Sequence, residues 1–220
     1  MRKKKWTAGE LENNPYILRE EHPCPDRLYD YFKDPSGSRP MHLEIGCGKG
    51  RFIVEMSRRY PDINFVAVER DPVILAQAAR RAEQSEANAL LFILADIEED
   101  NFLKHFNPLQ ISRLYINFCD PWPNKKKWAK RRLTHEKFLN IYEELQISEL
   151  FFKTDNRYLF EFSLESFCKK GWTIENISLD LHTDNLPDNI MTEYEEKFSA
   201  HGPIYRLEAR PPANTNLQPT

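Results

Sequence analysis

The chain has 220 residues, with 31 Lys and Arg against 34 Asp and Glu, a formal charge of -3, 40% apolar residues and 12% aromatics. That size suits one domain with some decoration and a sizeable core, and it disfavours two full domains. The charge balance excludes a generally basic, histone-like binder of nucleic acid. The longest apolar run, Ala89 to Ala95, is far below the roughly 20 residues of a membrane span, so no membrane partner is expected.

In chain order, the basic start Met1-Arg2-Lys3-Lys4-Lys5-Trp6 runs into Glu10, Glu12, Asn13 and Pro15, where a signal peptide would carry an apolar stretch. No export signal is expected. Pro15, Pro23, Pro25, Pro35 and Pro40 mark residues 1–40 as an irregular N-terminal extension. From about Met41 to Arg210, short β-branched or aromatic runs alternate with longer amphipathic segments, which predicts an α/β domain with a parallel sheet covered by helices. The strands expected are 42–45, 64–68, 90–94, 113–118, 149–153, 174–179 and 204–208, seven in all. Helical patterns fill the gaps near 51–60, 72–85, 134–145 and 158–170, the second opened by the cap-and-first-turn pair Asp71-Pro72. Residues 211–220 read as a disordered tail.

The four cysteines (Cys24, Cys47, Cys119 and Cys168) form no Cys-x-x-Cys pair, which argues against a zinc knuckle or a disulfide framework and for a reducing, cytoplasmic home. The histidines show no metal-ligand spacing, and no metal is assigned.

The first strand of the predicted domain runs straight into Glu44-Ile45-Gly46-Cys47-Gly48-Lys49-Gly50. Glycines there let the backbone turn tightly and approach a ligand, or serve only strand-to-helix packing. The dinucleotide fingerprint places its third glycine where this chain has Arg51, so nicotinamide-dinucleotide binding is disfavoured. Glu69 follows at the end of the next strand, roughly 20 residues on, where a carboxylate can accept from both ribose hydroxyls. Asp96 ends the strand after that. All three acids are expected on the carboxyl edge of the sheet, the ligand-binding edge of this architecture.

After the next strand comes Asn117-Phe118-Cys119-Asp120-Pro121-Trp122-Pro123. It leads into Lys125-Lys126-Lys127-Trp128-Ala129-Lys130-Arg131-Arg132, six positive charges in eight residues, and then Leu133-Thr134. These strings resemble the bacterial tRNA (guanine-N7-)-methyltransferase family, whose hallmark is an Asn-Phe-x-Asp-Pro-Trp-Pro turn before a Lys/Arg-rich loop ending Arg-Arg-Leu-Thr. Phe152-Lys153-Thr154-Asp155-Asn156-Arg157, Leu179-Asp180-Leu181-His182 and Met191-Thr192-Glu193-Tyr194-Glu195-Glu196-Lys197-Phe198 extend the resemblance over about residues 41–210. The acid before the Gly-x-Gly-x-Gly loop likewise resembles motif I of class I methyltransferases that use S-adenosylmethionine.

The resemblance implies a Rossmann-like class I methyltransferase fold. It implies an enzyme that moves a methyl group from S-adenosylmethionine to N7 of a guanine in the variable loop of tRNA, with no obligatory protein partner. Glu44 would face the methionine end of the cofactor, Glu69 the ribose and Asp96 the adenine, over Gly46, Gly48 and Gly50. Asp120 would be the active-site carboxylate, also touching the cofactor. Asp155, Thr192, Glu193, Tyr194 and Glu195 would hold the guanine, with Glu193 or Glu195 joining Asp155 as readers of its N–H edge.

In the basic loop, Lys126, Lys127, Lys130, Arg131 and Arg132 would grip phosphates flanking the base. Counting back from Arg131-Arg132 makes Asn124 an insertion and Lys125 the substrate-contacting lysine, whereas counting forward from Asp120 lands on Asn124; Lys125 is preferred. Trp122 either stacks on a base or anchors the turn, and Trp128 offers a ring on which a nucleotide could stack. Gln146-Ile147-Ser148 replaces a glycine-containing turn of the family.

Two other readings compete. One is an exocyclic-amine methyltransferase, because Asp-Pro-Trp-Pro loosely resembles the Asp-Pro-Pro-Tyr turn. The other is an RNA-binding module that has lost turnover. The proline missing at the third place of the turn opposes the first, and the intact set of Glu44, Glu69, Asp96 and Asp120 opposes the second.

Overall fold

A computed structural model describes residues 5–18, 25–34, 36–99, 102–106, 111–128, 132–184, 186 and 189–213, with the backbone alone for Lys5 and residues 25–27. Eight strands form one sheet: β1 (Ile17–Leu18), β2 (Met41–Ile45), β3 (Asn64–Glu69), β4 (Leu90–Leu94), β5 (Arg113–Asn117), β6 (Glu149–Thr154), β7 (Thr173–Ser178) and β8 (Tyr205–Arg210). Their spatial order is β1-β4-β3-β2-β5-β6-β8-β7. Every described pairing is parallel except those of β8, which runs against both β6 and β7. The helices are α1 (Lys5–Asn13), α2 (Pro25–Tyr31), α3 (Arg51–Arg59), α4 (Pro72–Gln84), α5 (Glu136–Glu144), α6 (Arg157–Lys169) and α7 (Glu193–Phe198).

The central strands are near-continuous apolar runs because both sheet faces are covered. Every residue of β2 is buried, and one face carries Leu43, Val66, Leu91, Leu114 and Phe152 against Phe138 and Tyr142 of α5 and Phe160 and Phe167 of α6. On the other face Phe65, Ala67 and Phe92 pack with Ile53 and Phe52 of α3 and the alanine stripe Ala78, Ala79 and Ala82 of α4. The helix starts follow local chemistry. Asp71 accepts from the N–H groups of Val73 and Ile74 with Pro72 in the first turn, and Asn156 accepts from Leu159 N–H to open α6. No described helix is long and apolar enough to cross a membrane.

Two expectations are corrected. The sheet has eight strands, not seven: Ile17 and Leu18 add a parallel edge pairing with Phe92 and Ile93. Residues 1–40 are not simply irregular, since their described part holds α1, β1 and α2. The helix α1 is docked on α4, where Arg80 Nε donates to Glu10 at 2.6 Å, the Arg80 guanidinium lies 4.3 Å from the Trp6 ring, and Asn14 donates to Glu83 at 3.3 Å. The proline count hid a two-residue strand, and strands that short carry no periodicity to read.

Candidate active site at the carboxyl edge of the sheet

The glycine loop is tied down by Val68, whose carbonyl accepts from the N–H groups of both Gly46 and Cys47 at 2.8 and 3.1 Å. Gly46, Gly48 and Gly50 take φ of 76°, 55° and 74°, a region L side chains rarely enter. A Cβ on Gly50 would meet Ala78 Cβ at 2.9 Å, so this glycine lets α3 approach α4. Gly46 and Gly48 have nothing within 4 Å of the position a Cβ would take, leaving open space over the loop.

The expected acids reach the strand ends. Glu69 is the last residue of β3, Asp96 follows β4, Asp120 follows β5 and Asp155 follows β6. Glu69 accepts from Gly48 N–H through Oε2 at 3.1 Å and from Asp71 N–H through Oε1 at 2.9 Å, so each oxygen keeps a lone pair. Asp96 accepts from Glu98 N–H at 3.1 Å and lies 3.8 Å from Arg70. A cavity of about 380 Å³ is lined by Gly46, Glu69, Asp96 and Asp120, with Ile97 and Trp122 among its walls.

Glu44 is not on that wall. It is buried behind the loop at 2% exposure, where Asn117 Nδ2 donates to Oε1 at 2.8 Å and Oε2 has no partner. Burial pushes its carboxyl up to about 7, against the opposing pull of the Asn117 hydrogen bond and the Lys153 charge.

Asp120 is exposed, in a turn with Phe118 at φ 53° and Trp122 at φ 40°. Such non-glycine residues cost on the order of 1–3 kcal/mol each and persist only where surroundings over-determine them. Phe118 N–H donates to the Lys153 carbonyl at 2.8 Å, which fixes the entry to the turn. After it, the Asn124 side chain caps a short 3-10 turn over Lys125–Lys127 by accepting from Lys126 N–H at 3.0 Å. Lys125, Lys126 and Lys127 are exposed, while Lys130 and Arg131 lie outside the described residues.

One expectation for this segment fails. Arg132 is buried at 3% exposure and cannot offer its guanidinium to a phosphate; its Nε donates to the Pro121 carbonyl at 2.7 Å. Trp128 is engaged by protein. Its Nε1 donates to the Trp122 carbonyl at 2.7 Å and its ring packs on Phe162 and Arg132. The apolar slot that takes Arg132 is built by residues far apart in sequence, so a charge count reads it as solvated.

The helix α7 closes the site from the β6 side. Tyr194 donates to Asp155 at 3.0 Å and its ring meets Phe118 at 5.1 Å. Thr192 caps α7 by accepting from Glu195 N–H at 2.9 Å. Glu193 pairs with Arg81 and, at 3.8 Å, with Lys49, and Glu196 pairs with Arg51, so α7 is strapped to α3 and α4. Glu195, expected among the guanine readers, is fully buried. Its carboxylate accepts from Lys153 Nζ at 2.8 Å and Asn189 Nδ2 at 2.7 Å, with His182 Nε2 at 3.3 Å, and has no edge left for a base.

Sequence reasoning missed Lys153, Asn189 and Asn117 as structural members of the site. The signal for Lys153 was a lysine that continues the apolar run Leu150-Phe151-Phe152 within a strand, where it needs a buried partner.

Comparison with known proteins bears on this arrangement. Residues 38–207 match the methyltransferase family Methyltransf_4. The chain is 41% identical to the tRNA (guanine-N(7)-)-methyltransferase of Clostridioides difficile (strain 630), covering 95% of this chain and 98% of that protein. It is 42% identical to the protein of the same name from Macrococcus caseolyticus, over 96% of this chain and 99% of that one. The chain belongs to the tRNA (guanine-N(7)-)-methyltransferase family.

Among solved structures, an antibiotic-related methyltransferase superimposes with a TM-score of 0.61 at 14% identity, covering 90% of this chain and 97% of that one. The 16S rRNA methyltransferase KamB gives 0.58 at 14% identity, covering 80% and 90%. These likenesses establish the methyltransferase fold. Gln146 takes φ 54° in the turn before β6.

Proposed function

We infer that this chain transfers the methyl group of S-adenosylmethionine to N7 of guanine in tRNA, at the variable-loop guanine, forming 7-methylguanosine. The observation that carries the reading is one cavity at the carboxyl edge of a methyltransferase sheet on which Gly46, Glu69, Asp96 and Asp120 converge. The residues suit the cofactor: the lone pairs left on Glu69 match ribose hydroxyls, and Asp96, on the same cavity wall, matches the adenine end. Gly46 and Gly48 leave the loop bare for its approach, with Gly50 holding α3 in place. When bound, the sulfonium supplies an electrophilic methyl group.

Guanine N7 carries an available lone pair. No proton has to leave before attack, so a strong general base is unnecessary, and this chain's residues act mainly by alignment, which is worth about 7–11 kcal/mol in favourable cases. Asp120 orients the reacting groups from its strained turn. Asp155, held by Tyr194, accepts from the guanine N–H edge, with Thr192 and Glu193 beside it. Lys125 contacts substrate, and Lys126 and Lys127, with Lys130 and Arg131, contact phosphates. The catalytic unit spans residues 41–210, with 1–40 as an N-terminal extension and 211–220 as a tail. Its place of action is the cytoplasm, without an obligatory protein partner.

The test is transfer of labelled methyl from S-adenosylmethionine to unmodified tRNA, followed by borohydride reduction and aniline cleavage. Cleavage at one variable-loop guanine is the expected result. Methylation without cleavage would move the reaction to another atom, and no methylation with tRNA binding intact would favour a silent RNA-binding module.

A further inference from the structure

Two consecutive carbonyls follow Asp120, and each is captured from the basic segment. Arg132 Nε donates to Pro121 O and Trp128 Nε1 donates to Trp122 O, both at 2.7 Å. The two donors are parts of one stack. The Arg132 guanidinium lies 3.8 Å from the Trp128 ring centroid and 4.6 Å from that of Phe162, and the Trp128 and Phe162 rings meet edge-on at 4.9 Å. Phe162 belongs to α6, so the stack is anchored to the core. The backbone adds a tie, since Arg132 N–H donates to Trp128 O at 3.0 Å.

Arg132 is an unusual residue to bury. Among the described residues no carboxylate pairs with it, and its buried Nη1 has no partner. A guanidinium placed so, beside a turn with positive φ at Phe118 and Trp122, fits a part whose geometry matters more than its solvation. An indole or guanidinium N–H aimed at a carbonyl fixes that peptide plane, and two adjacent fixed planes leave the preceding Asp120 little freedom.

We propose that Trp128 and Arg132 are positioning residues that clamp the Asp120 turn in its working geometry. The basic segment thus has two sides: Lys125, Lys126 and Lys127 face solvent, while Trp128 and Arg132 serve the active site from behind. This inference rests on the proposed role of Asp120 in methyl transfer.

The experiment uses the full chain with Trp128→Phe, which keeps the ring and removes the donor, and Arg132→Lys, which keeps the charge and removes the flat stack and Nε. Three quantities are measured: kcat and KM with tRNA, tRNA affinity as a function of salt, and hydrogen exchange of the amides in residues 118–122. The clamp predicts that kcat falls about 10- to 100-fold. It also predicts that tRNA affinity and its salt slope stay within about twofold and that exchange across the turn quickens in both variants. Weakened affinity with a shallower salt slope, unchanged kcat at saturating tRNA and unchanged exchange would overturn it and make these residues RNA contacts. Should Arg132→Lys not fold, Trp128→Phe carries the test alone, and wild-type kcat with wild-type exchange in that variant sinks the proposal. If the wild-type chain itself fails to methylate tRNA, the functional reading falls, while the exchange result still decides the clamp.

Discussion

Lys153 Nζ lies 2.8 Å from Glu195 Oε2, and the two side chains are 7% and 0% exposed. The pair joins β6 to the start of α7, and Asn189 Oδ1 and the Ile190 carbonyl accept from the same ammonium at 3.1 and 3.0 Å. It is therefore the fastening of α7 to the sheet.

Removing one member leaves the other charge buried and alone. Lys153→Met or Glu195→Leu is expected to cost about 3–5 kcal/mol of stability, whereas the double variant recovers much of that loss because no orphan charge remains. Urea unfolding of the three proteins checks this. A double variant as unstable as the sum of the singles would contradict it.

Glu44 makes stability depend on pH. Its folded carboxyl is raised to about 7 from an ordinary 4.5, so between those values the folded protein holds a proton that the unfolded chain has released. Its contribution is fully present below about 4.5, is lost as pH rises and is gone above about 7, a span on the order of 3 kcal/mol. Unfolding free energies at pH 5 and pH 8 should differ less in Glu44→Gln than in the wild type. Equal differences would refute the assignment.

Asp120 is exposed, and the proposed function has it act by position. In Asp120→Ala, calorimetry should still detect cofactor binding, while turnover falls by about 100-fold or more. Undiminished turnover would remove Asp120 from the active site.

Lys126 and Lys127 are exposed on the 3-10 turn after Pro123. Replacing both with Ala should weaken tRNA binding at every sequence and reduce the slope of log affinity against log salt by about 2, near 0.9 for each phosphate that is no longer neutralised. Filter binding across a salt series reads this directly, and an unchanged slope would mean that these lysines meet no phosphate.

The glycines of the loop should respond differently to Ala. At Gly50 the new Cβ meets Ala78 Cβ at 2.9 Å and its Cα at 3.3 Å on top of a positive φ, so a loss of about 2–5 kcal/mol is expected. At Gly46 only the backbone strain applies, about 1–2 kcal/mol, and the methyl group instead intrudes on the cavity. Denaturation and cofactor titration of both variants separate the two effects. Equal destabilisation would contradict the packing account.

The sequence by itself determined what depends on neighbours along the chain. Asp71-Pro72 opens α4, apolar runs such as Phe65-Val66-Ala67-Val68 lie in the middle of the sheet, and Glu69, Asp96, Asp120 and Asp155 fall at or just after strand ends because strand length and turn position are local. The family resemblance is local too, being carried by ordered strings.

Tertiary structure alone decided which charges are spent inside the protein. Arg132 reads as one more cation in a basic run until Trp128 and Phe162 meet around it, and Glu195 reads as one more acid at a helix start until Lys153 reaches it from another strand. The tie of β1 to β4 and the clamp on the Asp120 turn belong to the same class. Solvation of a charge depends on groups distant in sequence, and no local pattern records who those groups are.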